Sequence, residues 1–192
     1  MIVWVVAKGA LDMANNPKLS LSLHFDSNGN PLSGVGPGVG LAFITAYFPK
    51  AQYVIRIASA YFTLKGFKIS RGFIAPKTQL QILVGREEGL NVQKTIKTII
   101  HEIVGDFGSC EEDLYEVISD LKDRIRTGQF VIKDAREMQV KFHCKFYICD
   151  DRYIWHGSAN YTGLGLTQSA EQVSVSNDLD EIRLFTSWYN EA

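Results

Sequence analysis

Met138-Gln139-Val140-Lys141-Phe142-His143-Cys144-Lys145-Phe146-Tyr147-Ile148-Cys149 is the stretch on which the reading of this chain turns. Met138, Val140, Phe142, Cys144, Phe146 and Ile148 share one parity and are apolar, whereas Gln139, Lys141, His143, Lys145 and Tyr147 share the other. A period of two predicts a strand with one face in the core, which makes Cys144 a core residue. His143 and Lys145 then project side by side, roughly 6.5 Å apart at ~3.3 Å per residue. Asp150-Asp151 predicts a tight turn, and Arg152–His156 a return strand running into Gly157-Ser158-Ala159-Asn160. Such a hairpin brings Ser158 and Asn160 back beside His143 and Lys145. An imidazole, an ammonium, a hydroxyl and a carboxamide then surround one small volume, and their common target is a tetrahedral oxyanion.

The chemistry of a phosphodiester asks for these groups. The substrate is anionic and repels nucleophiles. Lys145 supplies a point positive charge, and Ser158 and Asn160 supply neutral donors. Preorganised donors of this kind stabilise the added charge of a five-coordinate phosphoryl transition state. His143 is a candidate nucleophile, because imidazole is partly unprotonated near neutral pH. It needs a partner on its second ring nitrogen, and Glu171 is the nearest downstream carboxylate.

Outward from this segment, strands alternate with helices. Leu19, Leu21, Leu23 and Phe25 alternate with polar residues, and Ser27–Pro31 carries turn chemistry. Gly34–Gly40 (GVGPGVG) lacks the Lys-Ser/Thr ending of a phosphate-binding loop and is expected to be a flexible connector. A buried helix over Leu41–Phe48 stops before Pro49. Tyr53–Tyr61 and Gln79–Val84 are core strands, with a helix from Leu64 to about Phe73 capped by Thr63 between them. Further helices are expected from Asn91 to Gly105 and, behind a Ser109/Glu112 capping box, along one face made by Leu114, Val117, Ile118, Leu121 and Ile125. A strand over Phe130–Lys133 follows. The expected fold class is α/β, a mixed β-sheet flanked by helices in a single domain spanning 1–192, with the motif inside 138–171.

Composition sets the outer limits. A chain of 192 residues with 46% hydrophobic and 21% charged residues is an ordinary globular protein. A net charge of −1 excludes a strongly basic nucleic-acid coat but leaves room for a locally positive groove. Three cysteines without a CxxC argue against a disulfide framework and fit a cytoplasmic setting. His143, Cys144 and Cys149 have the wrong spacing for a structural zinc. Ile2–Ala7 is too short for a secretory signal, and no stretch approaches the ~20 apolar residues of a membrane span.

His143-x-Lys145-x4-Asp150-x6-Gly157-Ser158-x-Asn160 resembles the full HKD signature of the phospholipase D superfamily. Tyr161–Leu166 resembles the stretch that follows it in family nucleases, and Glu171 stands where the family's supporting glutamate does. Ala58–Gly66 and Ile82–Glu87 are similar to the N-terminal half of phospholipase D-like domains in restriction endonucleases and helicase-fused proteins. The resemblance implies a phosphohistidine on His143, with Lys145 and Asn160 holding phosphoryl oxygens, Ser158 assisting and Glu171 orienting His143. It implies that Asp150 and Gly157 support the loop and that no metal or other cofactor is needed.

None of the remaining histidines, His24, His101 and His156, opens a second HxK. One imidazole attacks and another protonates the leaving group, so the resemblance implies a homodimer with both motifs on a two-fold axis. The implied partner is nucleic acid, DNA first, without stable membrane association. A fused or associated helicase or recognition domain is a further expectation, the chain being read as the nuclease domain of a longer protein. The competing readings are a phospholipase D or phosphatidyltransferase acting on phospholipid, and a non-catalytic nucleic-acid-binding domain. Arg86 and Lys65 are candidate groove residues, weighed against ordinary solvation. Tyr61, Phe62 and Tyr161 are candidates for stacking on bases or for packing, and His156 for a packed or surface role.

Overall fold

The computed structural model describes residues 20–85, 112–135 and 143–192. The Ile2–Ala7 run, the expected helix from Asn91 to Gly105, the cap at Ser109 and the Met138–Phe142 part of the central segment lie outside them, as does Arg86.

The described strands form one eight-stranded mixed sheet. They are β1 (Ser22–Phe25), β2 (Pro31–Pro37), β3 (Val54–Ser59), β4 (Gln79–Val84), β5 (Phe130–Asp134), β6 (Phe146–Cys149), β7 (Tyr153–Gly157) and β8 (Ala170–Ser176). Their spatial order is β1-β2-β8-β7-β6-β3-β4-β5. β3, β4 and β5 run parallel, and every other pairing is antiparallel. The helices are α1 (Val39–Tyr47), α2 (Leu64–Ser70), α3 (Glu112–Arg126), α4 (Gly163–Thr167) and α5 (Leu179–Glu191). Single 3-10 turns at Phe48–Lys50 and Arg71–Phe73 extend α1 and α2. Among the described residues, no helix is long and apolar enough to cross a membrane.

Alternation along the strands sends side chains into two cores. Ile55, Ile57, Leu80, Ile82, Tyr147, Cys149 and Trp155 pack under α1, α2 and α3 through Phe43, Phe67, Val117 and Leu121. Ala58, Leu83, Phe146, Ile148 and Ile154 pack under α5 through Ile182 and Tyr189. Removing each such large side chain from water is worth about 1.5–3 kcal/mol. Tyr147 and Trp155, paired across β6 and β7, stack at 3.5 Å between centroids and 7° between planes.

Three expectations are corrected. First, β6 is buried on both faces rather than one, with Phe146 1% and Tyr147 0% exposed. Tyr147 followed the polar parity, but its ring fills the core and its hydroxyl donates to the Ala159 carbonyl at 3.0 Å. Regular pairing begins only at Phe146, so Cys144 is exposed instead of in the core.

Second, the glycine-rich segment is not a connector. Residues 31–37 form β2, which pairs with both β1 and β8, and α1 starts at Val39. The glycines serve close packing: a Cβ on Gly34 would lie 2.6 Å from Leu23 Cδ2, and Gly36 holds φ +119° against the Ser20 carbonyl. Third, Ile125 is 54% exposed, because the buried stripe of α3 runs through Val117, Ile118 and Leu121.

Other expectations match closely. β4 spans Gln79–Val84 as read. Thr63 caps α2, its hydroxyl accepting from the Gly66 amide at 3.2 Å.

Candidate active site

The register of four adjacent strands brings one set of termini together. Ala58 faces Phe146 across β3 and β6, Phe146 faces His156 across β6 and β7, and Gly157 faces Val173 across β7 and β8. β3 and β7 therefore end where β6 and β8 begin. Ser59, Lys145, Ser158 and Glu171 all lie at that edge, and Asn160 follows within two residues.

Lys145 sits at the head of β6, 9% exposed. Its backbone carbonyl accepts from the Gly157 amide at 3.2 Å, which extends the hairpin ladder by one bond. The Lys145 ammonium lies 2.9 Å from His143 Nδ1 and 3.0 Å from Nε2, and it donates to the His143 carbonyl at 3.0 Å. A neutral imidazole has one lone pair, so only its unprotonated nitrogen can accept from the ammonium. The His143 side chain itself is exposed.

Ser158 is fixed by β8. Its amide donates to the Gln172 carbonyl at 2.9 Å, and its oxygen accepts from the Gln172 amide at 2.9 Å. Its hydroxyl donates to Glu171 Oε2. Gly157 permits this approach, since a Cβ there would stand 1.9 Å from the Gln172 oxygen. Glu171 thus takes the Ser158 hydroxyl, and it is Lys145 that lies against the imidazole. This differs from the expected Glu171–His143 pairing: β8 aims the carboxylate at the neighbouring end of β7.

Asn160 lies in the loop between β7 and α4. Ser59 Oγ, fully buried, donates toward Asn160 Oδ1 at 3.3 Å and toward the Tyr61 carbonyl at 2.7 Å, and it accepts from the Tyr161 amide at 2.9 Å. Thr63 Oγ1 accepts from the Gly163 amide at 3.2 Å, and the Thr63 amide donates to the Tyr161 carbonyl at 3.3 Å. The Tyr147 hydroxyl secures Ala159 from beneath. Burial holds the Tyr147 phenol far above its ordinary range, so it stays a donor.

At the other end of the hairpin, Asp150 and Asp151 adopt φ 50° and 52°, as a two-residue turn requires. The Asp150 carboxylate accepts from the backbone amides of Gln52, Tyr53 and Val54, the last two at 2.8 Å. It is remote from His143 and braces the start of β3.

Among the remaining candidates, Phe62 and Tyr161 are buried and pack on one another, with ring centroids 5.7 Å apart. His156 pairs with Glu181 at 3.3 Å and stacks on Phe185, so it fastens α5 to the sheet. Lys65 is exposed. Ser59 and Tyr147 were missed by sequence reading. Each is an ordinary strand residue whose role exists only through a partner brought up by the fold.

The Lys145 ammonium contacts the exposed His143 imidazole, and the Ser158 hydroxyl, bonded to Glu171, and the Asn160 carboxamide follow at the same edge of the sheet. An ammonium, a hydroxyl and a carboxamide are donors of the kind that suit an anion. Among the described residues, no group of three or more His, Cys, Asp or Glu is placed to hold a metal ion.

The family model described as "Cardiolipin synthase, PLD-like domain" matches residues 44–192. No curated protein matches the chain in sequence. NucT from Helicobacter pylori is similar in structure at 16% identity and a TM-score of 0.51, over 91% of this chain and 95% of that one. A phosphatidylserine synthase from Haemophilus influenzae Rd KW20 is similar at 18% identity and a TM-score of 0.54, over 90% of this chain. This chain spans 38% of that enzyme's length.

Proposed function

The chain belongs to the phospholipase D-like domain family, and on that footing we propose that it is a metal-independent phosphodiesterase, a DNA endonuclease that works through a phosphohistidine in a site shared by two copies of the chain. The observation that carries this reading is the Lys145 ammonium held within 3.0 Å of both ring nitrogens of an exposed His143. A cation so placed can transfer its contacts to an arriving phosphoryl oxygen and release the nucleophile's lone pair.

In the proposed cycle, an imidazole nitrogen of His143 forms a bond to phosphorus while the bond from phosphorus to the leaving oxygen breaks. Lys145 and the Asn160 carboxamide hold the non-bridging oxygens, and Ser158, backed by Glu171, supplies a further donor. The leaving oxygen takes a proton from the second copy's imidazole. Water, losing its proton to that same imidazole, then attacks phosphorus and frees His143. With a single HxK in residues 1–192, a second copy of the chain is the proposed source of the second imidazole.

Nuclease activity rests on the resemblance of Ala58–Gly66 and Tyr161–Leu166 to nuclease domains. A phospholipid substrate is the second reading, favoured by the descriptions of the matching family and of the phosphatidylserine synthase neighbour. Incubation with DNA, RNA and phosphatidylcholine vesicles in chelator, wild type beside His143→Ala, separates the two. The expected result is His143-dependent cleavage of DNA. Cleavage of phosphatidylcholine alone would replace the nuclease reading, and no cleavage of any of the three would remove both.

A further inference from the structure

Ser59 stands outside the HKD signature, 101 residues before Asn160. It is the last residue of β3 and is fully buried, yet its side chain faces the site loop rather than the core. We propose that Ser59 is a positioning residue that fixes which end of the Asn160 carboxamide meets the substrate, a role that rests on the phosphodiesterase reading above.

An asparagine side chain carries an acceptor at one end and two donors at the other, and the two ends are nearly the same shape. A phosphoryl oxygen can take only the donor end. With Oδ1 turned outward, the same residue would present a lone pair to an anion. Something must therefore hold the oxygen inward.

Ser59 Oγ is placed to do so, at 3.3 Å from Asn160 Oδ1. One of its two lone pairs is engaged by the Tyr161 amide at 2.9 Å, which restricts the hydroxyl's direction. Its one proton lies between Oδ1 and the Tyr61 carbonyl, the nearer acceptor at 2.7 Å. Donation from the Asn160 amide to an anion polarises the carboxamide and makes its oxygen the better acceptor. The hydroxyl proton then shifts toward Oδ1 as charge builds on the phosphoryl group. The contact is thus strongest in the transition state, where it raises kcat rather than ground-state affinity.

The surrounding bonds keep the two segments in register. Phe62 bridges Tyr161, and the Thr63 amide and hydroxyl hold Tyr161 and Gly163. These contacts position the backbone of the loop. The Ser59 hydroxyl reaches the Asn160 side chain itself.

The test is a double-mutant cycle on bis(p-nitrophenyl) phosphate, a phosphodiester independent of the DNA or lipid question. Ser59→Ala should lower kcat roughly tenfold or more, with KM held within about threefold. In an Asn160→Ala background the same change should have almost no further effect, because the group it orients is gone. Ser59→Cys, which keeps the bulk and a weak donor, should fall between wild type and Ser59→Ala; it also serves if the alanine variant does not fold. Losses in the two single variants that multiply in the double variant would overturn the role, as would a Ser59→Ala change confined to KM. If the wild type turns over and His143→Ala does not, the catalytic reading stands whatever the cycle gives. A wild type inactive on this substrate, on DNA, on RNA and on phosphatidylcholine overturns both.

Discussion

The β6–β7 hairpin has two ends built from the same signature, and they are spent differently. At the turn, Asp150 gives its carboxylate to three backbone amides, while Asp151 pairs with Arg56 at 2.7 Å and accepts from Thr186 at 3.1 Å. Those acceptors are consumed in joining the hairpin to β3 and α5. At the open end, His143 and Ser158 are exposed, and side-chain contacts to Lys145 and Glu171 stand beside the last backbone bonds of the ladder. One signature therefore holds residues tied into the sheet and residues left exposed at its edge.

Mutations at the two ends should separate accordingly. The largest effect is expected from His143→Ala, which should lower turnover at least about 10³-fold. Its melting temperature should stay near that of the wild type, since an exposed side chain contributes little to stability. Lys145→Met should follow, with a loss in kcat of about 10²–10³-fold and circular dichroism confirming the fold.

Asp150→Ala should invert the pattern. Leaving three amides without their acceptor should cost about 2–4 kcal/mol of stability, read by urea denaturation, while kcat per folded molecule falls by less than about threefold. A large kcat loss at unchanged stability would erase the distinction between the two ends. The smallest effect is expected from chelator: turnover in EDTA should match turnover without it, and complete loss there would contradict the metal-independent chemistry.

The contrast also explains what could be read in advance. β4 and the cap at Thr63 were legible because local chemistry decides them: a short apolar run ending at a glycine, and a hydroxyl opening a helix. The signature residues were legible because their spacing is fixed along one hairpin. β2 was not, because glycines that signal a loop in isolation here allow two strands and a helix to close around Gly34 and Gly36. Tyr147 was misplaced because strand parity sorts residues by polarity, whereas helices cover both faces of β6: α5 lies over Phe146 and Ile148, and α1–α3 lie over Tyr147 and Cys149. Cys144 was misplaced because the alternation was extended past the point where pairing begins. The Glu171–Ser158 bond and the Ser59–Asn160 contact depend on the placement of β8 and β3 beside the hairpin, which no local pattern encodes.

Central to the proposed mechanism is a bond between His143 and phosphorus. Turnover of a phosphodiester, stopped in alkali and followed by peptide mass spectrometry, reads that bond directly. The expected result is an acid-labile phosphoryl adduct on His143 that is absent from His143→Ala. An adduct on a different residue, or a full single turnover with His143 never modified, would contradict it.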